Sequence, residues 1–314
     1  MNFLSSYIST FNKQLTAKSF LTTFFAIIST VIFFSFILNR ADFITNGNDT
    51  IRQYQLSKIN NNDFKNVSTI IVGDSSAGNA INAQYFSKLS NQKTLNLSLT
   101  GSWGIAGSLG IIKNAYNKNQ NLKNIIIIQT LDIWPRGFAK ESILELYSLS
   151  EAYKILGLKS LIAYFFNPKE ILWNIDPNTN YLIDFENDYI IQKDKKYSNG
   201  LKMIDSKSTL NGLKVSHAKL KELILLQEFC TKNRLNCIYA NGPIHNTITK
   251  NSNEYFEYLN NEIHNIVKIK YINKIFSYGN DYIGDSIDHI DTKHKDEVTK
   301  DYFNEIRAYL HVQK

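Results

Sequence analysis

The chain has 314 residues, 43% of them hydrophobic and 20% charged, a composition typical of globular proteins with room for one large domain or two small ones. Its formal net charge of +7 is spread over many lysines without a concentrated basic stripe, which argues against a nucleic-acid partner. The 2 cysteines have no companion ligands at zinc-site spacing, so no metal site is expected, and no cofactor either.

The first element is Phe20 to Leu38, a run with no charge and no proline. About 20 apolar residues are needed to cross a bilayer as a helix, so this run predicts one transmembrane span. Phe33-Phe34-Ser35-Phe36-Ile37-Leu38-Asn39-Arg40 offers no small-residue cleavage site, which favours an uncleaved anchor over a signal peptide. Lys13 and Lys18 precede the span, while Arg40 follows it beside Asp42. The slight positive-inside bias puts residues 1–19 in the cytoplasm. The expectation is a single-pass protein of the inner (cytoplasmic) membrane, with its main domain periplasmic or extracellular. Residues 39–66 are polar and asparagine-rich and read as a linker to a domain over 67–314.

In that domain, strand-like runs recur at 67–72, 94–99 and 124–129, separated by helical patterns at 80–89 and 105–117. Strands alternating with helices of this length imply βαβ units and a parallel sheet. Ile125-Ile126-Ile127-Ile128 has the unbroken apolar character of a strand covered on both faces. The rhythm stops after Trp134-Pro135-Arg136. Residues 137–212 read as an insertion, a lid or substrate platform, with helical pieces at 141–158 and 161–166 and then a polar, tyrosine-rich stretch containing Trp173. The alternation resumes with a helix at 214–230, a strand at 236–240, a helix at 253–266 and a short strand at 268–272. A last helix over 293–311 has Val298, Tyr302, Ile306 and Leu310 on one face. Cys230 and Cys237 fall at a helix end and a strand start; they could bridge this connection in an oxidising compartment, but two separate buried thiols are expected.

The first strand ends on Gly73-Asp74-Ser75, where an open α/β sheet presents side chains to a ligand crevice. A serine there becomes a nucleophile if a histidine and a carboxylate reach it. His289, in the loop before the last helix, is the candidate base. Asp285 is its preferred orienting carboxylate, because a turn brings residues four apart together; Asp288 is adjacent and is expected to point elsewhere. The backbone N–H groups of Ser75 and Gly101 are the candidate oxyanion donors, Gly101 because a missing Cβ lets the backbone approach a substrate. Ser98 and Ser102 are not expected to participate. The plainer reading of Gly-Asp-Ser is a strand-ending turn whose side chains satisfy backbone donors. His245 reads as a loop residue, and His217, His264 and His311 as helix-surface or boundary residues.

Gly73-Asp74-Ser75, the segment Asn96 to Gly101 and the carboxylate–His289 pair resemble blocks one, two and five of the SGNH/GDSL hydrolase superfamily. With the N-terminal anchor, the layout is similar to the membrane-tethered SGNH-like branch of bacterial surface-polysaccharide O-acylation, of the alginate-acetylation and teichoic-acid D-alanylation type. The resemblance covers roughly 67–134 and 236–311. It implies a three-layer α/β/α, flavodoxin-like fold, with Ser75 as nucleophile, His289 as base, and the Ser75 and Gly101 amides as oxyanion donors. It also implies acyl transfer to, or removal from, a surface polysaccharide, with a multi-span membrane protein as acyl supplier. There are two departures. Where the family's third block carries an oxyanion-donating asparagine, this chain reads Gln129-Thr130-Leu131-Asp132, and Gln129, Thr130 or Asn79 would have to substitute. The fifth block is usually Asp-x-x-His, a spacing met here by Asp291 and His294, which stand as the second choice. The competing expectation is a catalytically inactive SGNH-like glycan-binding or scaffold protein; a lipid esterase is disfavoured by the polar insertion.

Overall fold

Thr69-Ile70-Ile71-Val72 is β-branched at every position and fully covered, so it forms a strand closed on both faces rather than an edge. In the computed structural model, which describes residues 17–40, 47–165, 181–184, 189–192, 204–210 and 214–311, this run is β1, Thr69–Gly73. The chain divides into two compact units, Met1–Thr45 with Tyr153–Asp176, and Asn46–Ala152 with Pro177–Lys314.

The first unit contains helix α1, Ala17–Arg40, along which Phe20, Phe24, Phe25, Phe33 and Phe34 are exposed. Among the described residues no helix is long and apolar enough to cross a membrane. The run 20–38, expected to be a span, lies within this helix.

The second unit begins with α2, Gly47–Asn60, inside the stretch expected to be a linker. Ile51, Gln55 and Ile59 recur every fourth residue, so they share one helix face, and all three are buried. Gln55 Nε2 donates to the Ser98 carbonyl at 2.8 Å and Lys58 Nζ to that of Asn96 at 2.7 Å, so this segment belongs to the packed domain. After β1 come α3 (Ser75–Ala80), α4 (Ala83–Ser90), β2 (Thr94–Asn96), α5 (Gly104–Lys118) and β3 (Asn124–Gln129). The region expected to be an insertion holds α6 (Lys140–Leu146), α7 (Leu149–Phe165), whose residues from Tyr153 onward belong to the first unit, and an antiparallel pair, β4 (Tyr181–Asp184) and β5 (Tyr189–Gln192). Trp173 lies outside the described residues. Then follow α8 (His217–Lys232), β6 (Asn236–Asn241), β7 (Ile244–His245), α9 (Asn246–Asn251), α10 (Asn253–Ile266), β8 (Lys270–Ile272), β9 (Ser277–Tyr278) and α11 (Lys295–Ile306).

The main sheet has five strands in the order β2-β1-β3-β6-β8, all parallel. Counting only its own strands, that order is 2-1-3-4-5, the doubly wound arrangement in which the direction of strand addition across the sheet switches between the first and third strands. Ile71, Ile126, Ile128, Ile238 and Ala240 pack into one cluster with Phe86 of α4 and Val298, Tyr302 and Ile306 of α11. Side chains alternate along a strand, so Ile70, Val72, Ile125, Ile127 and Tyr239 face the opposite layer, where α5 and α8 lie. The parallel α/β expectation is met.

Cys230 and Cys237 form a disulfide with a Cα–Cα distance of 6.2 Å, correcting the expectation of separate thiols. The α8–β6 connection is short, and the Leu235 N–H turns back to the Cys230 carbonyl at 3.0 Å, which brings the two residues within bridging distance.

At the end of β1 the packing leaves no room for a side chain. A Cβ on Gly73 would run into the backbone carbonyl of Ile128 on β3, the strand paired with it. Gly73→Ala is expected to cost about 3 kcal/mol, since a paired carbonyl cannot move aside as a side chain would. Urea denaturation of the two proteins measures this, and an unchanged midpoint would refute the close approach.

Candidate active site

The switch point between β1 and β3 is where a crevice opens at the carboxyl ends of the strands, and the residues following β1 are Asp74 and Ser75. Asp74 is buried and caps α3. Its Oδ1 accepts from the Ser76 N–H at 3.0 Å and the Ser76 hydroxyl at 2.5 Å, and its Oδ2 accepts from the Thr130 N–H at 2.8 Å. One carboxylate therefore joins the end of β1, the start of α3 and the exit of β3. Burial, reinforced by the charge of Asp288, pushes its pKa up to about 6 despite the hydrogen bonds that favour the ionised form. Ser75 is the first residue of α3, so its N–H is among those that a helix leaves without an internal acceptor.

The second part of the site comes from a closed loop 214 residues further along the chain. Ile283 and Ile290 are buried and pair as an antiparallel bridge. The Gly284 N–H donates to the His289 carbonyl and the Asp291 N–H to that of Tyr282, both at 2.8 Å. Within this loop Asp285 and His289 face each other, with Nδ1 2.7 Å from Asp285 Oδ1. An ionised carboxylate only accepts, so Nδ1 carries the proton and Nε2 accepts from the Ser75 hydroxyl, 2.9 Å away. Serine, imidazole and carboxylate thus form one hydrogen-bonded run. Burial works against a charged ring, but the Asp285 hydrogen bond and the charges of Asp288, Asp285 and Asp74 outweigh it and hold the His289 pKa above the ordinary histidine value.

Other sequence candidates are placed differently. Asp288 does not turn away: its Oδ1 is 3.8 Å from His289 Nε2 and accepts from the Ser286 hydroxyl at 2.8 Å. In a tight loop, unlike a strand, successive side chains are not forced to opposite faces. Asp291 caps the short turn after it, accepting from the Lys293 N–H at 3.1 Å, and the His294 ring stacks on Tyr282 at 4.1 Å. This second-choice pair is therefore engaged elsewhere. His245 is buried, not a loop residue at the surface: the Thr247 N–H donates to its Nδ1 and its Nε2 faces Asn280 Oδ1 at 2.6 Å. Its backbone N–H donates to the Ile287 carbonyl at 2.8 Å, which props the Asp285–His289 loop.

On the oxyanion side, the Leu99 N–H donates to the Gly73 carbonyl at 2.9 Å, so the segment leading to Gly101 runs along the end of β1. Asn96 is fully buried and serves this geometry, its Nδ2 donating to the carbonyls of Ala77 and Ile81 and its Oδ1 accepting from the Ser98 N–H. The proposed substitutes for the missing asparagine each make a bond elsewhere. Gln129 Nε2 donates to Ser108 and Asn79 Nδ2 to the Ser75 carbonyl, both at 2.8 Å, and the Thr130 amide is held by Asp74. Leu131 is buried and its carbonyl accepts from the Tyr255 hydroxyl at 2.6 Å. Sequence reasoning missed Arg136, whose Nη2 is gripped by both oxygens of Asp132 at 2.7 Å and whose Nη1 donates to the Gly101 carbonyl at 3.3 Å. The spacing of four between Asp132 and Arg136 was the available signal.

No family model and no curated protein matches the chain. Among solved structures, an acetyl xylan esterase from the rumen bacterium Butyrivibrio proteoclasticus is similar over 78% of this chain and 65% of its own, at 11% identity and a TM-score of 0.33. The chain thus spans just under two thirds of that structure's length.

Two titrations follow. Asp285→Asn should lower the His289 pKa, because the charge that raises it is removed; imidazole NMR shifts against pH measure this, and an unchanged midpoint would refute the pairing. A carboxyl whose folded pKa exceeds its unfolded value contributes stability that is full below the unfolded value and lost as pH rises through the folded one. For Asp74, rising from 3.8 to about 6, the loss is about 3 kcal/mol across pH 4 to 6. Urea unfolding of wild type should show that decline, and Asp74→Asn should lack it.

Proposed function

We propose that the protein transfers an acyl group, acetyl in the simplest case, to or from a cell-surface polysaccharide through an acyl-serine on Ser75. One observation carries this reading: the continuous hydrogen-bonded run from the Ser75 hydroxyl through His289 to Asp285, placed at the switch point of a parallel sheet. Ser75 Oγ attacks the ester carbonyl carbon while its proton passes to His289 Nε2, and the carbonyl π pair moves onto oxygen. Collapse restores the carbonyl and expels the alkoxide, which takes the proton from Nε2. Water or a sugar hydroxyl then attacks the acyl-serine by the same steps in reverse. Asp285 fixes the tautomer and balances the imidazolium charge in both halves.

The polysaccharide acceptor and the membrane setting rest on sequence: the resemblance to the O-acylation branch and the uncharged run from Phe20 to Leu38. In that setting the catalytic domain lies outside the cytoplasmic membrane, and a transferase would draw its acyl groups from a multi-span partner.

A second reading, a non-catalytic glycan-binding or scaffold protein, is favoured by the buried leucine at position 131 where an oxyanion donor would stand.

The test is hydrolysis of a small activated acetyl ester by the 314-residue chain, which needs no natural acceptor. Ser75→Ala and His289→Ala should each lower kcat by about 10⁴-fold or more while thermal unfolding stays unchanged. The wild-type rate should rise with pH through an apparent pKa above 6.5 as the imidazole loses its proton. A wild type that neither turns over nor forms an acyl-serine by mass spectrometry would transfer support to the scaffold reading.

A further inference from the structure

We propose that the guanidinium of Arg136 supplies the oxyanion donor that this chain lacks at Leu131, holding the ester carbonyl oxygen as negative charge develops on it. The inference rests on the acyl-serine reading above.

Four groups could have replaced a donor near the end of β3, and each already makes a bond elsewhere. Leu131 has an apolar side chain and a carbonyl bound by Tyr255; Gln129 is bonded to Ser108, the Thr130 amide to Asp74, and Asn79 to the Ser75 carbonyl. Arg136 leaves the same β3 exit and comes back over Gly101. Its Nη1 lies 2.7 Å from where a Cβ on Gly101 would stand. The segment that ends at Gly101 is anchored by Leu99 to the Gly73 carbonyl, two residues before Ser75. The guanidinium therefore lies against Gly101, whose amide is the other expected donor.

Arginine has five N–H donors in a fixed fork. The described bonds use Nη2 on Asp132 and one Nη1 hydrogen on the Gly101 carbonyl, which leaves the second Nη1 hydrogen and Nε–H for a ligand. The side chain is 40% exposed, so a substrate can reach it. Both oxygens of Asp132 fix the fork before substrate arrives, and a donor already in place needs no reorganisation when charge appears.

Charge balance points the same way. Asp74, Asp285 and Asp288 surround Ser75 and His289, and the fields of Asp74 and Asp288 reach the Arg136 guanidinium. An oxyanion formed among these carboxylates would be opposed by each of them, and guanidinium N–H groups would add to the His289 imidazolium in offsetting that repulsion.

The experiment uses the 314-residue chain with 4-nitrophenyl acetate, a neutral ester with no acidic group for arginine to bind. Arg136→Ala should lower kcat by about 10²–10³-fold, the loss typical of one oxyanion donor, with KM changed by less than about threefold. Arg136→Lys should retain an intermediate rate, and millimolar guanidinium ion should restore part of the Arg136→Ala rate, which a purely structural loss would not allow. Gly101→Ala, whose new methyl would displace the guanidinium from the other side, should lower kcat in the same direction. An active wild type with Arg136→Ala of equal kcat would overturn the proposal and leave the acyl-serine reading standing. So would a defect confined to KM for acidic glycan esters, which would make Arg136 a binder of substrate anions. A wild type inert toward the ester, unchanged by Ser75→Ala, would overturn both.

Discussion

The buried carboxylate of Asp74 is the interaction on which the placement of Ser75 depends. It reaches across the gap where the sheet reverses direction and is bonded to the amide that opens α3 and the amide that closes β3. A strand end by itself would leave the next residues to wander as a loop. Here the turn after Gly73 is fixed from two sides, so Ser75 enters the crevice with a set direction. Hydrogen bonds to an ionised group are stronger than neutral ones, so a clamp of three bonds offsets part of the cost of hiding a charge. The same negative charge acts on His289 and Arg136, so the clamp also shapes the field in which any reaction at Ser75 takes place.

Against that fixed serine the histidine is delivered by a loop that carries its own closure. The Ile283–Ile290 bridge sets the loop's width and seals it to the core, while β7 braces its middle through Ile287. Behind it, α11 is pinned to the sheet by Val298, Tyr302 and Ile306, and the Tyr302 hydroxyl donates to the Asn241 carbonyl at 2.7 Å. Tyr302 also stacks on Phe276 at 3.6 Å between centroids. Thus the half of the site that comes from far along the chain is held by the same core that buries β3 and β6.

What sequence could and could not reveal follows the range of the interactions involved. Four consecutive isoleucines mark β3, and their run was readable residue for residue as 124–129. The helix at 253–266 was equally plain, because its apolar residues keep a steady period. Ser75, His289 and Asp285 could be nominated together from a short motif and a spacing of four; that they touch required the fold. Strand β2 stops at Asn96, three residues earlier than expected, although the Leu97 and Leu99 N–H groups still donate to the Ile71 and Gly73 carbonyls of β1; the Asn96 side chain turns inward to bond Ala77 and Ile81. Helix α2 was hidden because one of the three buried positions on its face is a glutamine, which reads as solvent-facing. The Asp74–Thr130 bond spans 56 residues and leaves no local trace. Arg136 was legible only as a charge four residues after Asp132.

The disulfide lies where the chemistry is not. Cys230 is at the end of α8 and Cys237 at the start of β6, hence at the amino-terminal edge of a parallel sheet whose carboxyl-terminal edge holds Ser75. Closing a loop this short restricts an unfolded chain by only about 2.5 kcal/mol. Its main consequence is for biogenesis. Pairing of these thiols is a local event that can occur once α8 and β6 have left the synthesis machinery, before α11 is made and before the histidine loop can meet the serine. A chain matured among oxidants would acquire a covalent mark of its compartment ahead of its active geometry.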